Sequence, residues 1–209
     1  MKRQWVAVVP VKALDTAKTR LATVPDMRRR ELALAFAVDT VTALQGVDCL
    51  LAVVAVGGDD DLAADLTHRR VVVLAEPVPG GLNQAAQAGI DWARGRYPQA
   101  GILVVPADLP ALRSADVARV LAMASAHARA VLPDREGTGT TMLTGLPPTP
   151  PVPRFGRGSL ARHLATGAVA LDATGLERAA HDVDTAAHLE QARALGVGAA
   201  TGQVLGDAR

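Results

Sequence analysis

The stretch Gln4-Trp5-Val6-Ala7-Val8-Val9-Pro10-Val11 decides the fold class of this chain. It is almost continuously apolar and rich in β-branched residues, which indicates a strand that is buried on both faces. We expect Pro10 to end the strand, because proline has no N–H to donate to a sheet ladder. Such a strand needs helices on both sides, so the stretch predicts an α/β fold with a mostly parallel sheet.

The rest of the chain repeats this pattern, with apolar strands alternating with helical periodicity. Further strands are predicted at Cys49–Val56, Val71–Ala75, Gly101–Pro106, Ala130–Pro133, Thr141–Leu146 and Val169–Leu171. Helices are predicted at about Asp26–Leu44, Asp60–Thr67, Asn83–Arg94, Ser114–His127, Ser159–Thr166 and Thr185–Leu195. We therefore expect one domain over residues 1–196, and a flexible Gly- and Ala-rich tail over residues 197–209.

Composition excludes several classes of protein. The chain has 209 residues and a formal net charge of +1, so no global field favours nucleic acid or a membrane surface. Cys49 is the single cysteine, which excludes a disulfide framework and a zinc site built on several thiolates. No run approaches the roughly 20 apolar residues of a membrane helix. We expect a cytoplasmic protein that binds neither nucleic acid nor membrane.

The loop after the first predicted strand, PVKALDTAKTRL, carries the cations Lys12, Lys18 and Arg20. Open α/β sheets bind ligands at the carboxyl ends of their strands, where this loop lies. A triphosphate donor needs such a clamp, because charge builds on the leaving pyrophosphate. The alternative is a solvated basic loop. The sequence has no GxxxxGK[ST] motif and no GxGxxG after the strand, which argues against a P-loop and a dinucleotide site.

Aspartates stand next to two other predicted elements, after a strand and before a helix. Asp108 comes directly after a buried strand and is flanked by prolines in VVPADLP, and carboxylates in such a place suit Mg²⁺. The alternative is that Asp108 caps the following turn. Asp182 and Asp184 precede the last helix in HDVDT. One of this pair could be a plain N-cap, and the other could complete a metal site with Asp108.

Three glycine-rich segments are candidates for substrate contacts. In PGGLNQA, Gly81 permits close backbone approach and Asn83 offers a donor and an acceptor to a base edge; a glycine turn capped by asparagine is the alternative. FGRGS opens a helix, and GTGTT enters a strand with free hydroxyls. Together these two could hold a small phosphorylated and carboxylated acceptor, unless they are ordinary surface turns. The five histidines show no metal-ligand spacing.

Taken in order, PVKALDTAKTRL, GGLNQA, VVPADLPAL, GTGTTML, FGRGSLARH and DVDTAAHL resemble the 2-phospho-L-lactate/phosphoenolpyruvate guanylyltransferase family of coenzyme F-420 biosynthesis. The wider superfamily includes the molybdenum-cofactor and sugar-phosphate nucleotidyltransferases, and it usually carries a GGxGTR-type loop after strand one. The Lys/Arg loop of this chain favours the F-420 branch. The resemblance implies a single-domain Rossmann-like nucleotidyltransferase fold, with helices on both faces of a mostly parallel sheet.

The resemblance also implies a reaction and its site. GMP passes from GTP to phosphoenolpyruvate or 2-phospho-L-lactate, and pyrophosphate is released. Mg²⁺ lies between Asp108 and the Asp182/Asp184 pair, and Thr141, Gly156 and Ser159 bind the acceptor. The two acceptors differ only at carbon three, so these residues do not decide between them. The Arg-rich, Lys-poor composition looks actinobacterial, and similar enzymes from that source use phosphoenolpyruvate.

The partners implied are GTP, the phosphorylated acid, a second copy of the chain in a homodimer, and a downstream deazaflavin transferase that takes the product. Two rival functions stay open at this point. One is a nucleotidyltransferase for another acceptor, such as a sugar phosphate or the molybdenum cofactor. The other is a non-catalytic nucleotide-binding regulator on the same fold, against which the presence of Asp108 and Asp184 argues.

Overall fold

A computed structural model describes residues 3–11, 26–58, 60–78 and 80–206 of the chain. The strands within these ranges are β1 (Trp5–Val11), β2 (Leu50–Gly57), β3 (Val72–Leu74), β4 (Gly101–Val104), β5 (Arg129–Pro133), β6 (Thr140–Gly145) and β7 (Val169–Ala170). The helices are α1 (Asp26–Gln45), α2 (Asp60–His68), α3 (Leu82–Arg96), α4 (Ser114–Ala124), α5 (Ser159–Leu164), α6 (Ala186–Leu195) and α7 (Ala199–Leu205). Lys12, Lys18 and Arg20 lie outside the described residues.

The strands form one seven-stranded sheet in the order β3-β2-β1-β4-β6-β5-β7. Only β6 among them runs antiparallel to its neighbours, β4 and β5. The predicted mostly parallel sheet is therefore confirmed. From β1 the chain moves outward to β2 and β3, and then returns to β4 on the other side of β1. This reversal between β1 and β4 is the kind of switch point at which open α/β sheets bind ligands.

The two faces of the sheet are covered by different helices, as predicted. Trp5, Ala7 and Val9 point into a core shared with α1, α2 and α4, whereas Val6 and Val8 point into a second core shared with α3. The alternation follows from the period of two along a strand. At Gly89 of α3 a Cβ would collide with the side chain of Val8, so glycine permits the close approach of this helix to the sheet.

The first strand is longer than its sequence predicts. Pro10 lies within β1, and the ladder to β2 continues to the pair Val11 and Gly57. The ladder to β4 has already ended at the pair Val8 and Val104. Beyond Val8 the strand is therefore paired on one side only, and there a residue without an N–H is tolerated.

The C-terminal segment also differs from the expectation of a flexible tail. Ala199–Leu205 forms α7, which packs against α1. The buried carboxylate of Asp39 accepts hydrogen bonds from the backbone N–H groups of Ala200, at 3.0 Å, and Thr201, at 2.9 Å. These bonds satisfy donors that a helix leaves open in its first turn. None of the helices in the described part of the chain is long and apolar enough to cross a membrane.

Candidate active site

The peptide of Asp108 is held from two sides. Its carbonyl oxygen accepts a hydrogen bond from the backbone N–H of Val183 at 3.0 Å. The next N–H, that of Leu109, donates to Oγ1 of Thr40 at 3.2 Å. Thr40 is fully buried, and its own hydroxyl donates to the carbonyl of Phe36 in α1 at 2.8 Å. The position of Asp108 after β4 is therefore fixed by main-chain contacts with α1 and with the segment before α6.

The same contact brings in the Asp182/Asp184 pair, because Val183 stands between these residues. His181 and Val183 are buried, whereas Asp182 and Asp184 are half-buried. Val183 packs in a cluster with Phe36 and Leu189. Val183 is thus anchored in the core, and the two aspartates beside it are partly exposed. The predicted juxtaposition of Asp108 with the Asp182/Asp184 segment is thus present at the level of the backbone.

The N-cap of α6 is Thr185 and not an aspartate. The hydroxyl of Thr185 accepts a hydrogen bond from the backbone N–H of His188 at 3.2 Å. The N–H of Asp184 is directed to Nδ1 of the same histidine, at 3.3 Å. Neither Asp182 nor Asp184 is therefore the N-cap of α6, which was the alternative to a metal ligand.

The three aspartates do not form a closed metal cage. Among the described residues, no group of three or more His, Cys, Asp or Glu side chains is arranged to hold an ion. The expected site, Asp108 with one of Asp182 and Asp184, needs only two carboxylates and stays a prediction. Mg²⁺ is usually held by one or two carboxylates, with water and substrate phosphates completing the octahedron. The donor set found here fits that incomplete kind of site.

Thr141 lies at the same edge of the sheet. Because β6 runs antiparallel, its start lies beside the carboxyl ends of β4 and β5. Thr141 is 1% exposed, and within the described ranges its hydroxyl has no hydrogen-bond partner. A buried hydroxyl without a partner costs about 1–3 kcal/mol. Thr141 is therefore a polar group at the switch-point edge that a ligand could satisfy.

Ser159 and Gly156 belong to the segment that leads into α5. Ser159 is buried and is the first residue of the helix, whereas the N-cap is Gly158 in a left-handed conformation with φ of 70°. The side chain of Ser159 is thus not the cap of this helix. Gly156 has φ of 117°, a conformation that favours glycine, and it is exposed.

His163 connects the start of β6 to the segment before α5. Its Nε2 accepts the backbone N–H of Arg154 at 2.8 Å. The ring proton must then lie on Nδ1, from which it is donated to Oγ1 of Thr140 at 3.0 Å. Burial of the ring, together with the positive charges of Arg162 and Arg154, lowers the pKa of His163 to about 4. The side chain is therefore neutral near pH 7, and its two ring nitrogens link Thr140 to the backbone of Arg154.

Asn83 contacts this segment from the other side. Its Nδ2 donates to the carbonyl of Phe155 at 3.2 Å, and its Oδ1 accepts the N–H of Phe155 at 2.7 Å. The amide that was expected to meet a base edge is thus engaged with the backbone. Gly81 precedes α3 with φ of 131°, and its N–H donates to Oε1 of Glu76 at 2.8 Å. The PGGLNQA and FGRGS segments are neighbours in the fold.

Two of these positioning side chains were not identified from sequence. His163 lies four residues after Ser159, so both occupy one face of α5. A search for metal-ligand spacing does not identify a histidine that only links backbone segments. Asp134 holds the loop between β5 and β6, because its carboxylate accepts the N–H groups of Thr138 at 3.0 Å and Gly139 at 2.8 Å. The position of Asp134 before a glycine-rich turn is a sequence feature that could have predicted this role.

Solved structures of nucleotidyltransferases share this fold. A nucleotidyl transferase from Methanothermobacter thermautotroptrophicus superimposes with a TM-score of 0.64 at 18% identity, over 92% of this chain and 97% of that one. A 4-diphosphocytidyl-2C-methyl-D-erythritol synthase gives a TM-score of 0.56 at 15% identity, over 93% and 99% of the two chains. At these identities the likeness shows the fold, and it confirms the predicted nucleotidyltransferase architecture.

Relatives with closer sequences are guanylyltransferases by name. Phosphoenolpyruvate guanylyltransferase of Streptomyces coelicolor is 45% identical over 202 residues, which is 96% of this chain and 95% of the relative. The protein of that name from Thermomonospora curvata is 42% identical, over 94% of this chain and 86% of the relative. The family described as "Guanylyl transferase CofC like" matches residues 5–182. The chain therefore belongs to the CofC-like guanylyltransferase family.

Proposed function

We propose that this chain is a phosphoenolpyruvate guanylyltransferase, which transfers GMP from GTP to phosphoenolpyruvate and releases pyrophosphate. The relatives that carry this name align with nearly the whole chain. The observation that carries the proposal is the arrangement at the switch-point edge. There, the Asp108–Val183 contact brings acidic segments together. The buried hydroxyl of Thr141, which has no hydrogen-bond partner among the described residues, lies on the neighbouring strand β6.

The reaction needs no nucleophile from the enzyme. A phosphate oxygen of the acceptor, already anionic at neutral pH, attacks the α-phosphorus of GTP in line. A new oxygen–phosphorus bond forms while the bond between the α-phosphorus and the bridging oxygen breaks, and pyrophosphate leaves with the electron pair. Catalysis is then a matter of positioning two anionic substrates and stabilising charge on the leaving group.

The acidic residues would hold a divalent metal in this scheme, and we propose Mg²⁺. Asp108 and one of Asp182 and Asp184 would be its protein ligands, since one or two carboxylates suffice for this ion. When bound, the metal supplies positive charge to the donor phosphates. The buried anchor at Val183 and the hydroxyl of Thr40 keep the backbone of both acidic segments in place before any substrate binds.

The remaining predicted residues divide between the two substrates. We assign the pyrophosphate clamp to Lys12, Lys18 and Arg20, which follow β1 in the sequence. Thr141, Gly156 and Ser159 would receive the carboxylate and phosphate of the acceptor. Gly81, at the start of α3, would allow the donor nucleotide to approach the backbone.

A pyrophosphate-release assay tests the proposal directly. The protein is incubated with Mg²⁺ and GTP plus phosphoenolpyruvate, GTP plus 2-phospho-L-lactate, and each component alone. We expect release only with GTP and an acceptor, and mass spectrometry should identify enolpyruvyl-diphospho-guanosine as the product. Release with a sugar phosphate instead would favour another acceptor, whereas GTP binding without turnover would favour a regulator.

The proposal extends to two partners. A deazaflavin transferase would consume the activated product, which is tested by adding such an enzyme and following loss of the diphospho-guanosine compound. A homodimer is expected in solution. Light scattering on the purified protein distinguishes a dimer from a monomer of 21.6 kDa.

A further inference from the structure

The segment Arg154–Arg157, here called the acceptor loop, has its backbone bound by three side chains. His163 accepts the N–H of Arg154 at 2.8 Å. Arg162 donates to the carbonyls of Arg154, at 3.1 Å, and Arg157, at 2.6 Å. Asn83 binds both polar groups of Phe155. The backbone of this loop makes no regular helix or sheet hydrogen bonds, so these side chains supply partners for its N–H and C=O groups.

Asn83 belongs to a different helix from Arg162 and His163. Arg162 and His163 belong to α5, which directly follows the acceptor loop in sequence, whereas Asn83 belongs to α3. Helix α3 is seated firmly on the sheet, because Ala85, Ala86 and Ile90 are buried and Gly89 meets Val8 at close range. The two bonds from Asn83 therefore tie the acceptor loop to helix α3, which packs on the sheet.

We propose that Asn83 is a positioning residue for the acceptor and does not read the guanine base. By holding both the N–H and the C=O of Phe155, it fixes the peptide on either side of this residue. Gly156 follows immediately, so its backbone is presented in one orientation at the acceptor site. This inference rests on the proposed function, because it takes Gly156 and Ser159 as acceptor contacts.

Positioning and base recognition have different kinetic consequences. A residue that preorganises the acceptor loop lowers the ordering cost of binding the acceptor, so its loss raises the KM for phosphoenolpyruvate. It leaves the KM for GTP and the preference among nucleotides unchanged. A residue that reads the base has the reverse profile, because a lost base contact weakens GTP and relaxes discrimination against ATP.

The test compares Asn83→Ala with Gln87→Ala. Gln87 is the matched control: an amide one turn further along α3, exposed and bonded to Asp91. For Asn83→Ala we expect the KM for phosphoenolpyruvate to rise about tenfold, since two hydrogen bonds are lost, and the KM for GTP to stay within about twofold. Hydrogen exchange of a peptide covering residues 153–158 should quicken in Asn83→Ala and not in Gln87→Ala.

A second variant guards against loss of the fold. Asn83→Asp keeps an acceptor for the N–H of Phe155 but sets a carboxylate oxygen against its carbonyl oxygen, so the acceptor KM should rise at least as much as in Asn83→Ala. A rise in the GTP KM, or a changed GTP-to-ATP preference, with unchanged acceptor KM would overturn the proposal. If the unmodified protein releases no pyrophosphate, the proposed function fails. The exchange experiment then still decides whether Asn83 holds the acceptor loop.

Discussion

The backbone N–H of Val183 donates to the carbonyl oxygen of Asp108 at 3.0 Å, which joins the segment before α6 to the segment after β4. Val183 is fully buried beside Phe36 of α1, so this contact is part of the core. The carboxylates of Asp108, Asp182 and Asp184 thus occupy segments whose backbones are locked together before substrate arrives. Preorganisation of this kind is what charge stabilisation in phosphoryl transfer requires.

Asp108→Asn is expected to lower Mg²⁺-dependent turnover by at least about a hundredfold, because a metal-bound carboxylate supplies several kcal/mol to the transition state. The fold should persist, since the contacts of Asp108 with Val183 and its neighbour's contact with Thr40 are made by the main chain. Pyrophosphate release at several Mg²⁺ concentrations and the melting temperature are measured together. Asp91→Asn, on the exposed face of α3, controls for loss of a charge. Turnover near that of the unmodified protein would remove Asp108 from the metal site.

Thr40→Val is expected to destabilise the protein by about 1–3 kcal/mol, because the buried N–H of Leu109 loses its acceptor. Thr42→Val is the control, since Thr42 makes the same bond within α1, to Val38 at 2.7 Å, but faces outward. It should change stability by less than about 0.5 kcal/mol. Urea unfolding gives both values. Equal values for the two variants would show that the bond from Leu109 contributes nothing.

Lys18→Ala and Arg20→Ala are each expected to lower kcat/KM for GTP by about ten- to a hundredfold, since a charge-assisted contact contributes about 1.5–3 kcal/mol. Arg96→Ala, near the far end of α3, serves as the control for removing a cation. Initial rates at varied GTP and saturating acceptor provide the measurement. If both variants keep the kinetics of the unmodified protein, the donor phosphates are held elsewhere.

Ser159→Ala is expected to raise the KM for phosphoenolpyruvate and leave the KM for GTP nearly unchanged. Because Gly158 and not Ser159 is the N-cap of α5, the melting temperature should move little. Both KM values and the melting temperature are measured on the one variant. A lower melting temperature with no effect on the acceptor KM would make Ser159 a packing residue instead.

The stability of the protein should fall at acidic pH through His163. Its pKa is lowered from 6.5 to about 4 in the folded state by burial and by Arg162 and Arg154. The unfolded chain therefore binds more protons between these values, so this contribution is complete above pH 6.5 and is lost as the pH falls towards 4. The loss approaches about 3 kcal/mol at the lower limit.

His163→Gln removes this titration and supplies the comparison. Urea unfolding of both proteins between pH 7 and 4 should give a steeper loss of stability for the unmodified protein. The pKa of His181 is also lowered by burial, but that residue is present in both proteins, so its contribution cancels. Parallel curves for the two proteins would show that His163 does not titrate as inferred.

The strands and most of the helices could be predicted from the amino-acid sequence, because they depend on local hydrophobic periodicity. The apolar run from Trp5 to Val11 predicted a doubly covered strand, and the structure places it inside the sheet, between β2 and β4. The order of motifs also predicted the family, since short segments with fixed chemistry need no tertiary information. The expected end of the strand at Pro10 was wrong, because pairing with β2 continues to Val11. The expected flexible tail instead contains α7, whose N-terminus is bound by Asp39.

The roles of the side chains that position the site became visible only once the packing of distant segments was known. Asn83 looks like a base-reading amide in sequence, yet its partner is Phe155, far along the chain. His163 has no recognisable spacing, yet it joins Thr140 to Arg154. Such roles depend on which backbone groups a loop leaves without partners. That is settled when distant segments pack together, and local residue patterns carry no information about it.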